Sequence, residues 1–161
     1  MLFRSHTAVR NGHTDTMKLL LEKGASIEVM NADSNTPLHN AVRNGHTGAV
    51  ELFLGKGASI EAINEYGSTP LHIAALKGHT STVELLLGKG ASIEAMNADS
   101  NTPLQYAAQN GHTGTVELLL EKGASIEAMG EDNDTPLHCA VLKGHTGTVE
   151  LLLGKVLRLK L

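Results

Sequence analysis

The chain has no tryptophan, two tyrosines and two phenylalanines, so any core it forms is aliphatic, built from Leu, Val, Ile and Ala with some Met. It has one cysteine, Cys139. A single thiol excludes an internal disulfide and suits a reducing compartment. Basic charge is not in excess: the formal net charge is -4. A phosphate-backbone binder needs a clustered basic face, so nucleic acid is not an expected partner. No apolar run approaches the roughly 18 residues that a membrane-spanning helix needs. No leader is visible either, since Met1-Leu2-Phe3-Arg4-Ser5 runs straight into the pattern described next. The expectation is a cytoplasmic protein without membrane contact.

What the chain has in quantity is repetition. Thr-Pro-Leu-His begins at Thr36, Thr69 and Thr135, and at Thr102 with Gln105 in place of His, a period of 33 residues. Gly-His-Thr keeps the same period at Gly12, Gly45, Gly78, Gly111 and Gly144, and Lys-Gly-Ala-Ser-Ile-Glu begins at Lys23, Lys56, Lys89 and Lys122. Fixed self-similarity means a stack of like units, none able to bury its apolar face alone. The period together with a Thr-Pro-Leu-His-x-Ala signature is that of ankyrin repeats, and the chain resembles that family over essentially its whole length. The resemblance implies an all-α solenoid, a stack of helix-turn-helix units with β-hairpin-like fingers and no true sheet. It implies a single domain over 1–161, with repeats at about 3–35, 36–68, 69–101, 102–134 and 135–161.

Within one unit, Thr36 reads as an N-cap and Pro37 as the first helical residue, where its missing N–H costs nothing. The first helix runs to about Arg43 and stops at Asn44-Gly45. Thr47 reads as the cap of a second helix, whose spacing Val50, Phe53, Leu54 gives a buried stripe. Gly55-Lys56-Gly57 ends it, and Ile60 then packs under the finger while Glu61 points to solvent. The family favours glycine in the finger turn; only Gly67 supplies it, with Ser34, Ser100 and Asn133 at the matching places. Strained or altered fingertips are expected there.

Both ends depart from the pattern. Phe3-Arg4-Ser5 stands where Thr-Pro-Leu belongs, and the last unit ends in Lys155-Val156-Leu157-Arg158-Leu159-Lys160-Leu161. Deleting one G from AAA GGT GCT TCG ATT GAA GCT T, a coding of the expected repeat, yields codons for that tail. The tail therefore reads as a frameshifted repeat, and the chain as a piece of a longer array. Its alternating apolar residues can pair as a strand or extend the last helix, and either fold back over the open end or join two chains into a weak end-to-end dimer.

Nine histidines invite a metal reading. All are locked to the repeat, so neighbours in a row stand about one helix-packing distance apart, roughly 8–10 Å. Zinc needs nitrogens at about 2 Å from one ion, so such a ladder does not chelate. The resemblance gives these rings a structural role, bonding backbone between units. Cys139 lacks an activating neighbour motif, no glycine belongs to a phosphate-cradling loop, and Glu28, Glu61, Glu94 and Glu127 read as a solvated edge. No catalytic residue, cofactor or metal is expected.

Information lies where the units differ. Helix one varies as Asn40, Ile73, Tyr106, Cys139 and as Arg43, Leu76, Gln109, Leu142; the finger varies as Ala32-Asp33, Glu65-Tyr66, Ala98-Asp99, Glu131-Asp132. In ankyrin proteins these columns face the concave groove, the usual partner-binding surface. The candidate contacts are Asn40, Arg43, Tyr66, Ile73, Leu76, Asp99, Tyr106 and Gln109, with the two tyrosines as anchors. The carboxylates at the fingertips call for a neutral to basic partner surface. The expected function is a non-enzymatic module that binds a protein partner; the alternative is a structural spacer or engineered scaffold without a partner of its own.

Overall fold

The computed structural model describes residues 8, 9 and 11–161. The altered start Phe3-Arg4-Ser5, and with it His6, lies outside the described residues. Nine helices occur among them: α1 (Thr14–Glu22), α2 (Pro37–Arg43), α3 (Thr47–Gly55), α4 (Pro70–Lys77), α5 (Thr80–Gly88), α6 (Pro103–Gln109), α7 (Thr113–Glu121), α8 (Pro136–Leu142) and α9 (Thr146–Leu159). No strand is present among the described residues. Helices α2, α4, α6 and α8 pack in one row and α1, α3, α5, α7 and α9 in another, each short helix lying against the long one that follows it. Between the rows lie Leu38, Leu71 and Leu104 from the short helices, and Phe53, Leu86 and Leu119 from the long ones. Leu54 is only half-buried, on the margin of the stripe read from its spacing.

Each short helix opens with a reciprocal cap. The Thr36 hydroxyl accepts from His39 N–H, His39 Nδ1 accepts from Thr36 N–H at 3.2 Å, and Pro37 holds the first position. Such a box normally carries Glu or Gln third. Gln105 does so in α6, with Oε1 at 2.8 Å from Thr102 N. Because Nδ1 accepts, the hydrogen sits on Nε2, and that N–H reaches the next unit. His39 Nε2 donates to Ser68 O at 3.1 Å and His72 Nε2 to Asn101 O at 2.9 Å. Gln105 Nε2 repeats the bond to Asp134 O at 2.6 Å. One side chain thus caps its own helix and ties the neighbouring unit.

The Gly-His pair is a second lock. Gly78 sits at φ +68, and a Cβ there would stand 2.6 Å from the His112 ring of the next unit. The glycine both turns the chain and clears room for that ring. His79, His112 and His145 then donate from Nε2 to the carbonyls of Arg43, Leu76 and Gln109 at 2.9–3.1 Å. The threonines that follow behave differently from the sequence reading. His46, not Thr47, occupies the cap position of α3, without a side-chain cap bond. Threonine hydroxyls instead bond between units, Thr80 to Thr115 at 2.9 Å and Thr113 to Thr148 at 2.8 Å. The glutamate row is likewise no idle edge. Glu28, Glu61 and Glu94 accept from the N–H groups of Ser59, Ser92 and Ser125 at 2.7–2.8 Å, one unit on. Position 158, where the next serine would stand, is Arg158.

Three of the four finger turns are held by asparagine, and Gly130 stands at the corresponding place in the fourth. Asn31, Asn64 and Asn97 each accept through Oδ1 from N–H groups two and four residues on, a local mimic of a backbone turn. Successive fingers join by single backbone bonds, Glu65 N to Asp33 O, Ala98 N to Tyr66 O and Glu131 N to Asp99 O, at 3.0–3.2 Å. The turns keep one shape: Gly67 lies at φ 68, and Ser34, Ser100 and Asn133 at 57–59. The left-handed region costs an L-residue about 1–2 kcal/mol, more than the extra chain entropy glycine loses on folding. Ser100→Gly is therefore expected to stabilise by about 0.5–1 kcal/mol. A urea midpoint that rises with an unchanged slope would bear this out; one that falls would refute it.

The tail extends the last helix instead of pairing as a strand. Helix α3 ends because Gly57 takes φ +90. At the corresponding place α9 has Val156, a β-branched residue for which positive φ is strongly unfavourable. The helix therefore runs on to Leu159. Val156 packs against the core, whereas Leu157, Leu159 and Leu161 are exposed, so they do not fold back over the open end.

Candidate functional site

The structure brings five of the eight candidate residues together. Arg43, Tyr66, Ile73, Leu76 and Tyr106 line one hollow of about 140 Å³, joined by Asn64, Ser68 and His72. The strand-free finger carries Tyr66 over it, and α4 supplies its wall. Ile73 is 3% exposed, so it forms the floor and offers little contact area itself. Tyr106 is held in place: its hydroxyl accepts from Asn97 Nδ2 at 2.8 Å, and its ring stands edge-on to His72 at 5.8 Å. Tyr66 is 61% exposed. Its phenol pKa is raised by a hydrogen bond to the Glu65 carboxylate and by that carboxylate's charge. One anchor is fixed and the other projects.

Asp99 and Gln109 line a second hollow of about 280 Å³ together with Glu131, Asp132, Asp134, Cys139 and Leu142. Burial, with the Asp134 charge added, pushes the Cys139 thiol pKa up, which disfavours the reactive thiolate. Asn40 lines neither hollow; its Nδ2 donates to Thr36 O at 3.4 Å, back along its own helix. Among the described residues no group of His, Cys, Asp and Glu is arranged to hold a metal ion, and no helix is long and apolar enough to cross a membrane.

Comparison of variable columns misses a constant one. Met30, Ile63, Met96 and Met129 occupy one place in successive fingers, and each is 51–60% exposed. The signal was an apolar residue recurring inside an otherwise polar segment, hidden because it barely changes.

A family model described as ankyrin repeats (3 copies) matches residues 5–97 and again 89–159. The chain belongs to the ankyrin repeat family. A search of curated proteins finds none that matches. Ankyrin repeats are generally protein–protein interaction modules and typically non-enzymatic. In this ankyrin chain His39, His72, His79, His112 and His145 bond between units and serve the stack, and the open chemistry lies on fingers and short helices.

Proposed function

We propose that residues 1–161 form one ankyrin domain, with units at about 3–35, 36–68, 69–101, 102–134 and 135–161, that binds a protein segment in its concave groove without catalysis. The observation that carries this is that both tyrosines of the chain, fixed Tyr106 and projecting Tyr66, line the same hollow above Ile73 and Leu76. An apolar side chain of the partner enters that hollow, and Arg43, Asp99 and Gln109 set its flanking contacts. Aromatic residues with a polar tip combine large contact area with little rotamer entropy, which suits them to anchor a binding surface. The near-identity of the units favours a second reading, a spacer from a longer array.

Peptides selected from a displayed library on the intact chain separate the two. Tyr66→Ala is expected to weaken a selected peptide by about 1–2 kcal/mol, roughly 5–30-fold in Kd, with an unchanged circular dichroism spectrum. Tyr106→Ala should do the same. Binding indifferent to both tyrosines would move the site off this hollow, and failure to select any peptide would favour the spacer.

A further inference from the structure

The charge of this chain is segregated. The four finger segments 24–35, 57–68, 90–101 and 123–134 contain ten carboxylates and no lysine or arginine. Through them runs the exposed row Met30, Ile63, Met96 and Met129, with a carboxylate two residues before each, at Glu28, Glu61, Glu94 and Glu127. Acidic groups also follow, at Asp33, Glu65, Asp99 and Glu131. The opposite surface is on the same chain. Residues 151–161 contain Lys155, Arg158 and Lys160 and no carboxylate side chain. On α9, Leu153 and Leu157 are one helical step of four apart and therefore share a face. Leu157, Leu159 and Leu161 are 62%, 73% and 108% exposed.

We propose that the basic, leucine-bearing end of α9 in one copy docks on the acidic, methionine- and isoleucine-stepped fingers of a second copy. Apolar side chains that stand in water gain by mutual burial, and methionine adapts its shape to a partner helix. The complementary charges orient the approach and make it salt-sensitive. Reciprocal docking closes a two-fold dimer, whereas one-sided docking propagates. This surface does not depend on the tyrosine hollow.

The test is sedimentation equilibrium of the intact chain over a range of concentrations, at low salt and at about 1 M salt, where the Debye length is about 3 Å. The mean mass is expected to rise with concentration at low salt and to return toward the monomer at high salt. A tail variant, Leu157→Ser with Leu159→Ser, and a finger variant, Ile63→Ser with Met96→Ser, change exposed side chains only. Each is expected to stay monomeric alone, and their mixture to form a dimer and nothing larger. Wild-type mass that never exceeds the monomer overturns the proposal. So does a finger variant that still self-associates, which would mean tails pair with tails, or a mixture that stays monomeric. If the finger variant still binds a library-selected peptide while failing to associate, the hollow stands whatever the fate of the docking surface. If Tyr66→Ala abolishes nothing while the mixture dimerises, the reverse holds.

Discussion

Leu86→Ala is expected to cost about 2–5 kcal/mol of stability. Leu86 lies on α5 in the middle of the stack and is 0% exposed, sharing its column with buried Phe53, Leu119 and Leu152. Truncation removes transferred apolar surface and leaves a cavity that neighbours packed on both sides close only in part. Stability in a repeat stack is a sum of unit and interface terms, so damage in a central unit also weakens its contacts with both neighbours. Leu153→Ala, two helical turns into α9 and 44% exposed, is the control and should change stability by less than about 0.5 kcal/mol. Urea unfolding of both variants decides it. Equal losses would mean that the long-helix stripe does not carry the core.

The second large effect is acid destabilisation through two capping histidines. Burial holds the pKa of His39 below its ordinary value of 6.5, only partly opposed by its bond to Ser68 O; Arg43 lowers it further and Glu28 acts the other way. Burial likewise lowers His72, against its bond to Asn101 O. The unfolded chain therefore takes up these protons at higher pH than the folded one. Stability is complete above about pH 6.5 and is lost as pH falls below it, at up to roughly 1.4 kcal/mol per group per pH unit until the folded groups also protonate. The geometry agrees in sign. A proton on Nδ1 would face the Thr36 or Thr69 N–H that now donates to it. Gln105 makes both bonds of this position without titrating. A double variant, His39→Gln with His72→Gln, should fold and lose less of its urea midpoint between pH 7.5 and pH 5.5 than the parent. A midpoint falling as steeply as the parent's would assign the acid sensitivity elsewhere.

Bonds between units leave no trace within a single unit. Glu61 and Thr80 look like surface polar residues in a single unit, because their partners, Ser92 N–H and the Thr115 hydroxyl, belong to the next. A sequence read one unit at a time cannot see bonds whose two ends are about 31–35 residues apart. The asparagine turns of the fingers differ: Asn31, Asn64 and Asn97 bond locally, but their column is nearly constant, so differences between units do not mark it. The column of Met30, Ile63, Met96 and Met129 is nearly constant in the same way. The tail's helical course, in contrast, follows from one residue, since Val156 stands where a left-handed glycine ends the other long helices.

The sequence by itself determined the unit, its period, its short-helix starts at Thr-Pro and the helix stops at the glycines that recur every 33 residues. These are local properties, set by φ preferences and by caps within a few residues of each other. It also marked the columns free to vary. Only the tertiary structure decided which of those residues meet. Tyr66 and Tyr106 are 40 residues apart in the chain and share a hollow. Ile73 lies beneath it, while Asn40, equally variable, turns back on its own helix. The physical reason is that the stacking rotation between units sets distances across the groove, and that rotation comes from contacts between units.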